Sequence, residues 1–141
     1  PAKGKDFANI LGPYLVTPDE LYPRSINTPS GKKYDLNMKC FVNGELLSEG
    51  NAKDMNWTFA EIIERASYGV ELFPGDLIGS GTVGTGCLLE INGSKKRANP
   101  DYKERWIEEG DEIEMKIEGL GKITNKIVKS ESNHSILKLK K

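Results

Sequence analysis

Seventeen residues from Pro74 to Glu90 constrain this chain more than any other part of it. They read Pro-Gly-Asp-Leu-Ile-Gly-Ser-Gly-Thr-Val-Gly-Thr-Gly-Cys-Leu-Leu-Glu, and five of them are glycine. A short apolar pair, Leu77-Ile78, leads in, and a second, Leu88-Leu89, leads out to a carboxylate. The pattern predicts two strands joined by a glycine-rich loop. Glycine lets a backbone reach positive φ and lets a ligand come close. Such a loop offers peptide N–H groups and the Thr82 hydroxyl to something anionic or oxygen-rich, with Glu90 placed to act as a base.

The rest of the chain predicts a β-dominated α+β fold. Leu36, Met38, Cys40 and Val42 alternate at period two, and Asn43-Gly44 supplies a type I′ turn, so residues 34 to 51 read as a hairpin. Ile113, Met115 and Ile117 alternate in the same way before Gly119-Leu120-Gly121, giving a second hairpin over 112 to 129. Thr58-Phe59-Ala60-Glu61 opens the one main helix, 59 to 68, with a capping box. Phe59, Ile62, Ile63 and Ala66 form its apolar stripe, with Ile62 and Ile63 expected in the core. Pro13, Pro18, Pro23 and Pro29 break the first 33 residues into loops and short extended pieces, with one strand possible at 12 to 17. Residues 92 to 101 read as a polar loop and 130 to 141 as a polar tail.

Composition removes several function classes. The 20 basic and 21 acidic residues interleave to a net charge of -1, which gives no electrostatic case for nucleic acid or an anionic membrane. No apolar run approaches a membrane span, and the start lacks the apolar core of a signal peptide. The chain has no initiator methionine, so a processed product or a fragment is expected. Two cysteines, Cys40 and Cys87, are too few for a secreted disulfide scaffold and read as buried free thiols in a reducing cytoplasm. Cys87 beside the loop has only apolar leucines and no histidine near it in sequence, a poor setting for a nucleophile.

Three blocks in order carry a family resemblance. The Pro-Gly-Asp turn, apolar strand and Gly81-Thr82 pair resemble the carboxy-terminal part of the fumarylacetoacetate hydrolase family. Lys5-Asp6-Phe7 running into Gly12-Pro13 is similar to that family's Lys-x-Phe segment. Glu109-Gly110-Asp111 through Gly119-Leu120-Gly121 and Asn125 resembles its closing hairpin. The resemblance covers about residues 3 to 129, which are therefore expected to form the carboxy-terminal part of a catalytic domain. It implies layered, mixed β-sheets and a homodimer, or association with a missing amino-terminal portion.

The resemblance also implies a site. Lys5, rather than Lys3, matches the family lysine that lies beside metal and substrate; by composition alone it is a surface lysine. The backbone at Asn9 is expected near the metal. Gly81 and Thr82 match the Gly-Thr pair that holds the substrate carboxylate; the bland reading is a tight connection between strands. In the enzyme that gives the family its name, a glutamate farther past the threonine partners a histidine to activate water. Here Glu90 follows Thr82 by eight, and by itself it reads better as a strand residue facing water than as an inward base. The family's divalent cation, Mg²⁺ or Ca²⁺/Mn²⁺, is held by a Glu-x-Glu pair and an aspartate expected upstream of this chain. Glu112-Ile113-Glu114 is a Glu-x-Glu in a strand, read as a solvated face. His134 lies in the polar tail, away from the family's catalytic histidine. The implied activity is metal-stabilised enolate chemistry on a 2-keto or β-diketo acid, foremost C–C bond hydrolysis. Dehydration of a 2-keto-3-deoxy sugar acid, isomerisation or decarboxylation is the alternative, and a non-catalytic fragment is the second one.

Overall fold

The computed structural model describes residues 9–130 of the chain. Six strands and two α-helices follow one another in it. Strands β1 (Ser25–Thr28) and β2 (Gly31–Tyr34) form a two-stranded antiparallel hairpin. Strands β3 (Asn37–Val42), β4 (Glu45–Asn51), β5 (Glu112–Ile117) and β6 (Gly121–Lys126) form an antiparallel sheet in the order β4-β3-β5-β6. Helix α1 (Phe59–Ala66) follows β4, and helix α2 (Leu88–Ala98) precedes β5. The β-dominated α+β reading holds, and both long hairpins lie where the alternation placed them.

Local chemistry explains the larger sheet. Asn43 and Gly44 both take positive φ, 52° and 79°, which a two-residue I′ turn requires. The turn is also stapled to β5: Asn43 Nδ2 donates to Asp111 Oδ1 at 2.8 Å, and Glu112 N donates to Asn43 Oδ1 at 2.9 Å. One face carries the row Gly50, Met38 and Ile117, then the row Ser48, Cys40, Met115 and Ile123. The other face is polar apart from Phe41 and Leu46, with cross-strand ion pairs Lys39–Glu49 at 3.0 Å and Lys122–Glu114 at 2.6 Å. Glu114 thus lies on a solvated face, as expected. A register shift beside Cys40 leaves Leu47 without a cross-strand partner.

Helix α1 begins as its capping box dictates. Glu61 N donates to Thr58 Oγ1 at 3.3 Å, and Thr58 N donates to Glu61 Oε2 at 2.8 Å. The helix leans on β2, where Tyr34 and Phe59 bring their ring centroids to 6.0 Å. Its apolar stripe is not core, contrary to expectation: Ile62 is half-buried and Ile63 is 52% exposed. One small hairpin covers only one edge of the stripe.

The segment after the glycine-rich loop departs most from the sequence reading. Leu88-Leu89-Glu90 opens α2 instead of ending a strand, and residues 92–98 are helix instead of loop. Leu, Glu, Lys, Arg and Ala all favour helix. Glu90 in the first turn and Lys95, Lys96 and Arg97 in the last suit the helix dipole. Asn92 then anchors the helix. Its Nδ2 donates to Arg105 O at 2.8 Å, and its Oδ1 accepts from Arg105 N at 3.1 Å. Leu77-Ile78 and residues 12–17 form no strand, while β1 and β2 fall in a stretch read as largely irregular. Leu77 is exposed, so nothing pairs or packs it into a sheet. Cys40 is half-buried, and burial pushes its thiol pKa up. Cys87 is exposed, against the expectation of a buried thiol, because it ends an open loop.

Candidate functional site

A cavity of about 290 Å³ opens above the row Gly50, Met38 and Ile117. Leu36, Phe59 and Leu120 add to its apolar wall, and Ser80 to Gly84 of the glycine-rich loop close it from the side. Gly81 and Thr82 therefore line the cavity. Gly81 takes φ +91°, a conformation that L side chains rarely adopt, so glycine is required there.

The loop is held against β4, an edge strand. Val83 fills a notch left by the missing side chain at Gly50, where a Cβ would collide with Val83 Cγ2. Thr85 Oγ1 lies 3.2 Å from Ser48 Oγ, and Ser48 is buried. Thr85 N donates to Glu90 Oε2 at 3.2 Å, and Gly86 N donates to Val83 O at 2.8 Å. Thr85 is held at φ +68°, an outlier for a β-branched residue.

The sequence-nominated residues separate. Gly81 and Thr82 reach the cavity together. Glu90 is not among the described residues that line it; its carboxylate faces the Thr85 amide behind the loop. Asn9 is exposed in an irregular segment. Lys5, Lys3 and His134 lie outside the described residues.

Tyr34, Asn51 and Asp54 line the cavity without any signal in the sequence. Asn51 is committed to structure: its Oδ1 accepts from Leu36 N at 3.2 Å and Lys53 N at 3.0 Å, and its Nδ2 donates to Asp35 Oδ1 at 2.6 Å. Lys53 Nζ lies 3.0 Å from Asp35, and this bond, with the one from Asn51, holds the Asp35 carboxyl below its ordinary 3.8. Asp54 is the one charged side chain among the described lining residues. Among the described residues no three His, Cys, Asp or Glu side chains gather into a possible metal site, so the donor set does not fit the implied cation. No described helix is long and apolar enough to cross a membrane.

Comparison with known proteins places the chain in a family. Residues 1–128 match the family model described as fumarylacetoacetate (FAA) hydrolase C-terminal. A 2,4-didehydro-3-deoxy-L-rhamnonate hydrolase from Sphingomonas sp. (strain SKA58) is 37% identical over 120 residues, 84% of this chain and 35% of that protein. The mitochondrial oxaloacetate tautomerase FAHD2B of Bos taurus is 37% identical over 128 residues, 89% of this chain and 34% of that protein. The crystal structure of a Mycobacterium smegmatis protein assigned as HpcE superposes with a TM-score of 0.58 at 30% identity, covering 84% of this chain and 36% of that one. The chain spans about a third of the length of the curated relatives it matches.

Proposed function

We propose, because the chain belongs to the fumarylacetoacetate hydrolase family, that residues 1–129 form the carboxy-terminal part of a catalytic domain acting on a 2-keto or β-diketo acid. The observation that carries this reading is the placement of Gly81 and Thr82 on the wall of a mostly apolar cavity of about 290 Å³. The Thr82 hydroxyl and neighbouring loop amides donate to the substrate carboxylate. Leu36, Met38 and Ile117 hold the carbon chain and exclude water. Lys5 brings positive charge to the enolate oxygen that develops as the reaction proceeds. The relatives' names give 2,4-didehydro-3-deoxy-L-rhamnonate and oxaloacetate, two different keto acids that can each enolise, which supports that common step.

C–C bond hydrolysis is the foremost reaction type; dehydration, isomerisation and decarboxylation share the enolate. The proposal includes a divalent ion, Mg²⁺ or Ca²⁺/Mn²⁺, held by carboxylates other than those described. Glu90 as the water-activating base would act through Oε1, since Oε2 accepts the Thr85 N–H. A second reading, a domain that folds and associates without turnover by itself, is favoured by the lack of a carboxylate cluster among the described residues. If Mg²⁺ raises the thermal midpoint of this chain alone, that second reading fails, because a specific site stabilises by mass action.

Thr82→Val tests the main reading. It removes one hydroxyl and keeps the shape. A hydrogen bond to a charged group is typically worth about 1.5 to 3 kcal/mol, so oxaloacetate affinity of the protein carrying this chain should fall by about 10- to 100-fold. Thr82 is exposed, so the thermal midpoint should stay put. Unchanged affinity would sink the carboxylate-holding role.

A further inference from the structure

We infer that Ser48 and Gly50 of β4 and Glu90 of α2 are positioning residues that together set the glycine-rich loop and so fix Thr82 in the cavity. The inference rests on the reading of Thr82 above and assigns Glu90 a task other than proton transfer.

Three contacts from two elements converge on two residues of the loop, Val83 and Thr85. Gly50 leaves the notch that Val83 fills, next to Thr82 in sequence. Ser48, buried on the same face of β4, meets the Thr85 hydroxyl at 3.2 Å. Glu90 accepts the Thr85 N–H at 3.2 Å from the first turn of α2. The loop closes on itself through Gly86 N to Val83 O at 2.8 Å. A non-glycine residue persists at positive φ only where its surroundings over-determine it, and Thr85 at φ +68° has such surroundings. The cause therefore runs from buried groups outward. Asn92 docks α2 on the Arg105 backbone, α2 aims Glu90, Glu90 and Ser48 orient Thr85, and Val83 in its notch places Thr82.

Glycine at position 50 gives the sharpest test, because the obstacle a Cβ would meet is a side chain. In Gly50→Ala the new methyl collides with Val83 Cγ2, and the loop must lift. Val83→Ala removes that methyl and makes room. The proteins to compare carry the full chain with Gly50→Ala, Gly50→Ala/Val83→Ala, Glu90→Ala, Glu90→Gln or Thr82→Val. Two quantities are read: hydrogen exchange of the Thr85 and Gly86 amides against those of β3 and β5, and oxaloacetate affinity. Gly50→Ala should speed exchange in the loop by about tenfold or more while the sheet amides keep their rates, since local opening is independent of global unfolding. It should weaken oxaloacetate about tenfold, as misplacing a positioning group does. The double variant should recover both. Glu90→Gln keeps a carbonyl oxygen for the Thr85 amide and should behave like the parent, whereas Glu90→Ala should loosen the loop.

Unchanged loop exchange in Gly50→Ala, or no recovery in the double variant, overturns the clamp. Unchanged loop exchange in Glu90→Ala overturns the positioning role of Glu90 and returns it to the base. If Thr82→Val leaves affinity intact while Gly50→Ala still frees the loop, the clamp stands and the carboxylate-holding reading is the part that fails.

Discussion

Asn92 shows how much one residue can decide. It is a polar side chain, 2% exposed, on a helix that the sequence pattern does not announce. Its amide satisfies both the N–H and the C=O of Arg105, at 3.1 and 2.8 Å. Asn92→Ala leaves those two part-buried groups without that partner. An unsatisfied buried group costs about 1 to 3 kcal/mol, so the variant should lose that much stability in a denaturant titration, whereas exposed Gly93→Ala should lose none. Equal midpoints for Asn92→Ala and the parent would show that α2 docks by other means. Gly50 is the second such residue. In sequence it is a glycine near the end of a strand, and only the neighbouring Val83 explains why a methyl cannot stand there.

At the scale of elements, capping and alternation were legible and long-range docking was not. The turn at Asn43-Gly44 and the box at Thr58–Glu61 depend on residues within a few positions of each other, so their geometry follows from local chemistry. Thr58 is 1% exposed and caps α1, and replacing a threonine cap by alanine costs about 1 to 2 kcal/mol; Thr58→Ala should lower the thermal midpoint accordingly. Acid should act on the same box. The Glu61 carboxyl is held below its ordinary 4.5 by its bonds to Thr58. A depressed carboxyl stabilises the fold above its unfolded value and loses that contribution as pH falls through the folded one. Stability should therefore decline on acidification below about 4.5, and Glu61→Gln should flatten that decline in midpoints measured across pH. Helix α2 escaped the sequence reading because Leu88-Leu89 between glycines mimics a short buried strand. Its only deep anchors are Ile91 and Asn92, adjacent in sequence and without visible period.

Across the whole molecule, apolar surface is left uncovered. Among the described residues Leu36, Val42 and Ile91 are the buried apolar side chains, while Leu15, Tyr68 and Leu77 are 96%, 80% and 72% exposed. A second copy or a further chain of the same protein would cover side chains of this kind. The chain expressed by itself should elute well above its 15.6 kDa in size-exclusion chromatography or bind an apolar dye; a monomer with a sharp thermal transition would contradict that expectation. The β-dominated class, both long hairpins and the start of α1 follow from the sequence alone, because period, turn pairs and caps act between near neighbours; the family was legible through three sequence blocks in order. Tertiary structure alone decided that Thr82 faces a cavity while Glu90 faces the Thr85 amide. That choice rests on a notch at Gly50 and a hydroxyl at Ser48, over thirty residues away along the chain, and on a helix held by one buried amide. Spacing along a chain carries no record of which distant groups will meet.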